Sequence, residues 1–242
     1  MMTSTVLLQT PALRIAEQIA LDRALMPAVG AGALPPLARV WEFPDEAVVV
    51  GVAQRPDEYV HREACAADGV PVLRRFSGGG TVCIMRGCVV FSVIMPLGGA
   101  LKVYDVSGAY RHILLSAINR FCRLNIPVVF EPPCDLVVNN RKIAGNAQAQ
   151  KRGAVLVHGS VLVNADIARM ERYLRQPAVA PAYRAGRSHA AFVQNLSAYG
   201  LTEPQVAQVL AEAWAPEGLT LEVEDAFVRE AAAHCHLWAA RV

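Results

Sequence analysis

Residues 135–148 read Asp135-Leu136-Val137-Val138-Asn139-Asn140-Arg141-Lys142-Ile143-Ala144-Gly145-Asn146-Ala147-Gln148. Two short runs suited to strands, 135–138 and 142–148, flank a pair of asparagines. Asn tolerates φ > 0, so Asn139-Asn140 suits a tight hairpin turn. Further runs at 128–130 and 155–163 extend this hairpin into an antiparallel set. Upstream, 88–95 is a continuous apolar run that fits a buried strand. Residues 103–124 between them carry Tyr110, Ile113, Leu114, Ala117, Ile118 and Phe121 at helical spacing. Downstream the spacing predicts helices over 166–174, 202–214 and 225–240, the second opened by a Thr202/Gln205 capping box.

Toward the N-terminus, residues 13–26 place Leu13, Ile15, Ala16, Ile19, Ala20 and Leu25 broadly on one helical face. Pro27 and the following Gly- and Pro-rich stretch predict its end. Two strand-like runs, 39–43 and 47–52, flank a Pro44-Asp45 turn. A polar helix over 57–68 ends at Gly69, and 72–75 leads into three glycines. Helices and hairpins interleave and hairpins dominate the middle. This predicts an α+β fold with a mixed, mostly antiparallel sheet flanked by helices, rather than a doubly wound parallel one. A length of 242 residues allows one large domain or two small ones, and residues 1–242 are expected to form one.

Composition narrows the function. The chain is 54% apolar and 18% charged, as a globular protein is. A net charge of +2 is too small to argue for nucleic acid as partner. No run is apolar enough to span a bilayer, and no basic segment precedes an apolar stretch at the N-terminus. The six cysteines form no C-x-x-C pair, which fits reduced thiols and a cytoplasmic setting. His234-Cys235-His236 is no metal site on a helix, because neighbouring side chains diverge.

Three segments carry chemistry. In Arg74-Arg75-Phe76-Ser77-Gly78-Gly79-Gly80-Thr81, the glycines let a ligand approach bare backbone and let several N–H groups point at one anion. The arginines can grip carboxylate or phosphate. No G-K-[ST] follows, and the glycine spacing is not that of a dinucleotide fingerprint; alone, the segment would equally be a flexible hairpin loop. Lys142 opens a strand with Gly145 close behind, so a cation could lie along an acyl group running over bare backbone. An exposed strand lysine has the same local sequence. His158, followed by Gly159 and Ser160, stands in an apolar strand, where a histidine is more often a hydrogen-bonded core residue.

In this order, R-R-x-S-G-G-G-[AT]-V, D-L-x-V-x-x-x-K-x-[AS]-G-x-A and H-G-[ST]-x-L resemble the lipoate–protein ligase and octanoyltransferase superfamily. Met170-Glu-Arg-Tyr-Leu174 and Arg187-Ser-His189 through Phe192-Val-Gln-Asn195-Leu196 resemble the region after the sheet in short members. The resemblance implies the catalytic domain shared with biotin ligases and class II aminoacyl-tRNA synthetases. For a ligase it implies ATP and magnesium, with lipoate activated by ATP to lipoyl-AMP; for the superfamily it implies lipoate or octanoate as the acyl substrate. The acyl group then passes to one lysine of a carrier, a lipoyl domain of a 2-oxo acid dehydrogenase E2 subunit or the glycine-cleavage H protein. On the matching positions, Ser77, Gly78, Gly79, Gly80 and Thr81 would wrap the acyl chain and activated carbonyl. Arg74 and Arg75 would serve phosphate or carboxylate, and Lys142 would stabilise charge on the acyl carbonyl. Asp135 would lie near nucleotide and magnesium, and Gly145, Asn146, Ala147, His158 and Gly159 would line the rest of the pocket.

The sequence also departs from the ligase pattern. Ile84 and Met85 stand where many ligases carry His-Asp, and Cys134 stands where ligases usually have Asn. The residues after Leu196 are too few for the accessory domain of large ligases, a role that a separate subunit fills in some short ones. Some octanoyltransferases use a cysteine upstream of the same lysine, placed several residues further away, as an acyl nucleophile. A Cys134 thiolate favoured by Lys142 and Arg75 could attack an acyl carrier protein thioester. We read Cys134 instead as a small residue in the ligase Asn position, and the chain as an ATP-dependent ligase. A non-catalytic lipoyl- or biotinyl-binding subunit is a third reading, which the intact S-G-G-G loop and Lys142 oppose.

Overall fold

The structure is a computed structural model that describes residues 4–222, 225–233 and 240–242. The His234-Cys235-His236 run therefore lies outside the described residues. In chain order the elements are β1 (Val6–Gln9), α1 (Ile15–Gly30), β2 (Leu37–Trp41), β3 (Ala47–Val50), α2 (Pro56–Tyr59), α3 (Arg62–Ala67), β4 (Val72–Arg74) and β5 (Val82–Ile84). Next come β6 (Cys88–Pro96), α4 (Val106–Arg123), β7 (Val129–Glu131), β8 (Asp135–Val138), β9 (Arg141–Lys151), β10 (Ala154–Leu162) and α5 (Ile167–Tyr173). The last are α6 (His189–Phe192), α7 (Glu203–Trp214), β11 (Thr220–Glu222), α8 (Asp225–Ala233) and β12 (Ala240–Arg241).

One sheet runs β11-β1-β2-β6-β10-β9-β8-β7 and a second runs β12-β4-β3-β5. In the large sheet only β11/β1 and β1/β2 pair in parallel. The predicted hairpin is present: Asn139 and Asn140 have φ of 48° and 61° and join β8 to β9. The Thr202/Gln205 capping box also forms at the start of α7.

Strand alternation divides the core. From β6 and β10, Phe91, Val93, Val155 and Val157 face α4 and α7, where Phe121 and Leu210 are fully buried. Val90, Ile94, Ala154 and Leu156 face the other way, onto α1 and the small sheet. Arg39, Trp41, Ser92 and His158 share that second parity. Polar residues thus enter the interior beside α1.

Three local expectations are corrected. Pro27 lies within α1 instead of ending it. The last turn continues because Val29 is buried, and because Gly30 packs against the β9–β10 turn so closely that a Cβ would sit 2.0 Å from the Arg152 carbonyl. Residues 39–43 and 47–52 form no hairpin, since β2 joins the large sheet and β3 the small one. The helix over 57–68 is broken, because buried Val60 bridges Leu174 in extended conformation.

Candidate active site

The glycine loop is fixed from beneath. Buried Arg75 donates from Nε to Ser77 Oγ (3.0 Å), from Nη1 to the Val49 carbonyl (3.2 Å), and from Nη2 to the Gly78 (2.6 Å) and Gly80 (2.7 Å) carbonyls. Burial pulls its pKa down to about 10, which leaves it charged. Gly78 N donates to the Gln148 carbonyl at 3.1 Å, which ties the loop to β9. Gly79 has φ of 86°, and a Cβ on Gly51 would lie 2.2 Å from its carbonyl. That crowding requires glycine at 51, and the conformation favours it at 79. Arg74 turns away from the cavity and donates to the Gly51, Val52 and Gln54 carbonyls. Gln54 Oε1 accepts from Gly51 N (3.0 Å) and Thr81 Oγ1 (2.9 Å), completing this wall.

Behind the loop lies a buried polar chain that sequence reasoning missed. Ser77 Oγ is 2.7 Å from His158 Nε2, and His158 Nδ1 is 3.5 Å from Asp22 Oδ2. Asp22 also holds Arg39 and accepts from Ser92, whose Oγ accepts from Trp41 Nε1 at 2.9 Å. With Asp22 facing Nδ1, the tautomer that carries its proton there leaves Nε2 to accept from Ser77 Oγ, which itself accepts from Arg75 Nε. Burial lowers the His158 pKa, so the ring is neutral at pH 7. The order Ser–His–Asp is that of a nucleophile relay. Ser77, however, is fully buried and does not line the cavity, so the relay holds the loop in place. The signal that could have revealed it is Gln18, which also accepts from Arg39, and Asp22, two buried polar residues four apart among the apolar positions of α1.

Lys142 and Asp135 meet across the β8/β9 pair. A register shift between Leu136 and Val137 sets Asp135 opposite Gly145 and Val137 opposite Lys142. Lys142 Nζ lies 2.8 Å from Asp135 Oδ1, and Tyr183 donates to Asp135 Oδ2 at 2.7 Å. Gly145 leaves room for the lysine, since a Cβ there would lie 2.7 Å from Nζ. Asn146 donates from Nδ2 to the Cys134 carbonyl at 2.6 Å, above the bare Cα of Gly159. Cys134 is half-buried, with Sγ 4.0 Å from Asp135 Oδ1. Burial, then the Asp135 charge, push its thiol pKa up, outweighing Lys142 and Arg75. The lowering by these cations that the nucleophile alternative invoked is thus outweighed.

A cavity of about 620 Å³ brings these segments together. Arg75, Gly79, Gly80, Thr81, Cys134, Asp135, Lys142, Gly145, Asn146, Ala147, His158 and Gly159 all line it, while Arg74, Ser77 and Gly78 stand outside. Ile19, Trp41, Val49, Ile84 and Val90 supply one continuous apolar wall from the core beneath α1. Such a wall suits an acyl chain, and the Lys142–Asp135 pair suits its carboxyl end.

A family model described as the lipoyl protein ligase A/B catalytic domain matches residues 14–215. The chain belongs to this family. Probable lipoate-protein ligase A of Mycoplasma genitalium is 34% identical over 152 residues, which is 63% of this chain and 44% of that protein. Octanoyltransferase LipM of an Exiguobacterium species is 30% identical over 183 residues, 66% of each. The chain thus spans about half to two thirds of these relatives' length. Among solved structures, a bi-partite lipoate protein ligase of Thermoplasma acidophilum, from an archaeal lipoylation system with its E2 lipoyl domain, has a TM-score of 0.78 at 21% identity. The match covers 96% of this chain and 91% of that one. A lipoate-protein ligase A bound with ATP has a TM-score of 0.78 at 22% identity, covering 97% and 94%. These likenesses establish that the lipoyl protein ligase A/B catalytic domain of this chain has the lipoate–protein ligase fold.

This chain's side chains supply no dedicated magnesium cage among the described residues. Both Asp135 oxygens are engaged, by Lys142 and Tyr183. Among the described residues no three His, Cys, Asp or Glu side chains converge. Magnesium is usually held by substrate phosphates, waters and one or two carboxylates, and Asp135 is the carboxylate that the cavity lining could offer it.

Proposed function

We propose that this chain is the catalytic unit of a lipoate–protein ligase. It activates lipoate with ATP and transfers the acyl group to a specific lysine of a lipoyl carrier domain, on an E2 subunit or a glycine-cleavage H protein. In activation the lipoate carboxylate attacks the α-phosphorus and pyrophosphate leaves; in transfer the carrier amine attacks the activated carbonyl, a C–N bond forms, the carbonyl C–O bond breaks, AMP leaves with the bridging oxygen, and the amine proton passes to solvent. Lys142 Nζ, held at 2.8 Å from Asp135, stands ready to stabilise the negative charge that grows on the carbonyl oxygen. The apolar wall takes the acyl chain.

The observation that carries the choice of ligase is the state of Cys134. A thiol pushed up by burial and by Asp135 is a poor nucleophile at neutral pH, because the thiolate is the attacking species. Octanoyl transfer from acyl carrier protein through a Cys134 thioester is the second reading, favoured by the relatives that are octanoyltransferases LipM. Cys134→Ser separates the two. As a ligase the variant keeps transfer activity within about threefold of wild type, because no covalent step uses the thiol. Complete loss of transfer, with an acyl adduct on wild-type Cys134, would establish the octanoyltransferase.

A further inference from the structure

His189, in the Arg187-Ser188-His189 segment, has no task in the scheme above. Its imidazole is buried and lines the same cavity as Lys142 and Asp135. Its ring makes no hydrogen bond among the described residues. The side chain as a whole is packed in, yet its ring nitrogens are not sealed from solvent and open into the cavity, where a ligand can take the place of water as their partner.

The backbone beneath the ring is held rigidly. Glu171 Oε1 accepts from Ala190 N at 2.9 Å, and Ser188 Oγ caps α6 by accepting from Ala191 N at 3.3 Å. Arg141 Nη2 donates to the Ala190 and Val193 carbonyls, both at 2.7 Å, and Gln194 N donates to the Lys142 carbonyl at 2.8 Å. The two residues that open β9 therefore fix the helix carrying His189. The charged groups around the ring are Arg184, Glu171 and Lys142; burial and Arg184 hold its pKa down at about 4. At physiological pH the ring is neutral, with one N–H to give and little basicity.

We propose that His189 is a substrate-contacting residue whose neutral imidazole N–H donates to the acyl carbonyl oxygen that Lys142 faces. The inference rests on the acyltransferase function proposed above. One preorganised donor at a developing oxyanion is worth about 100-fold in rate. His189→Ala should therefore lower kcat for transfer to the carrier about 100-fold, with the carrier KM within about threefold. His189→Gln, which restores an N–H, should recover most of that loss. Wild type and His189→Ala should share the shape of their pH–rate profiles between about pH 6 and 9, since the ring does not titrate there. On wild type, lipoic acid should shift the His189 ring resonances in an NMR titration.

A His189→Ala rate within threefold of wild type overturns the proposal, as does a Gln variant no better than Ala. An acid limb lost with the imidazole would make His189 a base rather than a donor, and would also overturn it. Wild-type protein that transfers nothing would defeat the acyltransferase function instead. The lipoic acid titration then decides for His189, against it if its resonances stay in place.

Discussion

Gly145→Ala isolates the placement of Lys142 from its presence. A Cβ at 145 would lie 2.7 Å from Lys142 Nζ and 2.8 Å from Cε, against about 3.4 Å for ordinary contact. The obstructing atoms are the far end of a flexible side chain, so the lysine moves and the backbone stays. Its ammonium must retreat by roughly 0.7 Å, out of the 2.8 Å contact with Asp135. A misplacement of about 1 Å at a reacting centre can cost about 100-fold in rate, which corresponds to about 2.7 kcal/mol in barrier. Gly145→Ala should therefore approach Lys142→Ala, which removes the donor and should lose about 100-fold. Carrier acylation followed by mass spectrometry gives the rates, and thermal melting shows whether the fold is intact. A folded Gly145→Ala protein with near-normal turnover would refute the idea that Lys142 acts from its seat beside Asp135.

Other outcomes follow from the buried groups. Asp22→Ala leaves the Arg39 charge buried without its carboxylate, so it should destabilise by about 3–5 kcal/mol in urea unfolding; a loss below about 1 kcal/mol would show that the Asp22–Arg39 contact is not structural. His189 sets an acid limit to stability. Its folded pKa of about 4 lies below its ordinary 6.5, so between those values the unfolded chain binds more protons. Stability is complete above pH 6.5, falls as pH drops through it, and has lost about 3 kcal/mol from this group near pH 4. His189→Gln should flatten that slope, and an unchanged slope would contradict the burial of a neutral ring.

What the sequence conveyed was local. The Asn139-Asn140 turn, the Thr202/Gln205 box and the apolar run of β6 each depend on neighbours a few residues away, and each formed where expected. The errors came from long-range packing. Nothing in 39–52 reveals that β2 and β3 leave Pro44-Asp45 for different sheets. Val60 is extended only because Leu174 lies beside it. β11 is three residues long and has no pattern apart from its pairing with β1. In the site, the glycine loop and the lysine hairpin stood out because consecutive glycines and a motif-spaced lysine are rare. Tyr183 was not singled out and His189 was given no site role, because their contacts to Asp135 and the cavity cross from a segment forty residues or more away in sequence. The nucleophile alternative for the Cys134 thiol had a related blind spot. Counting nearby cations in sequence omits burial, which dominates its pKa.

The most direct test of the proposed ligation is the intact mass of a lipoyl domain incubated with this protein, lipoate, ATP and magnesium, with parallel reactions lacking ATP or supplying octanoyl-acyl carrier protein instead. The expected result is one lipoyl group on the carrier lysine, strictly dependent on ATP, with the enzyme's own mass unchanged. Transfer from octanoyl-acyl carrier protein without ATP, accompanied by an octanoyl adduct on Cys134, would contradict it.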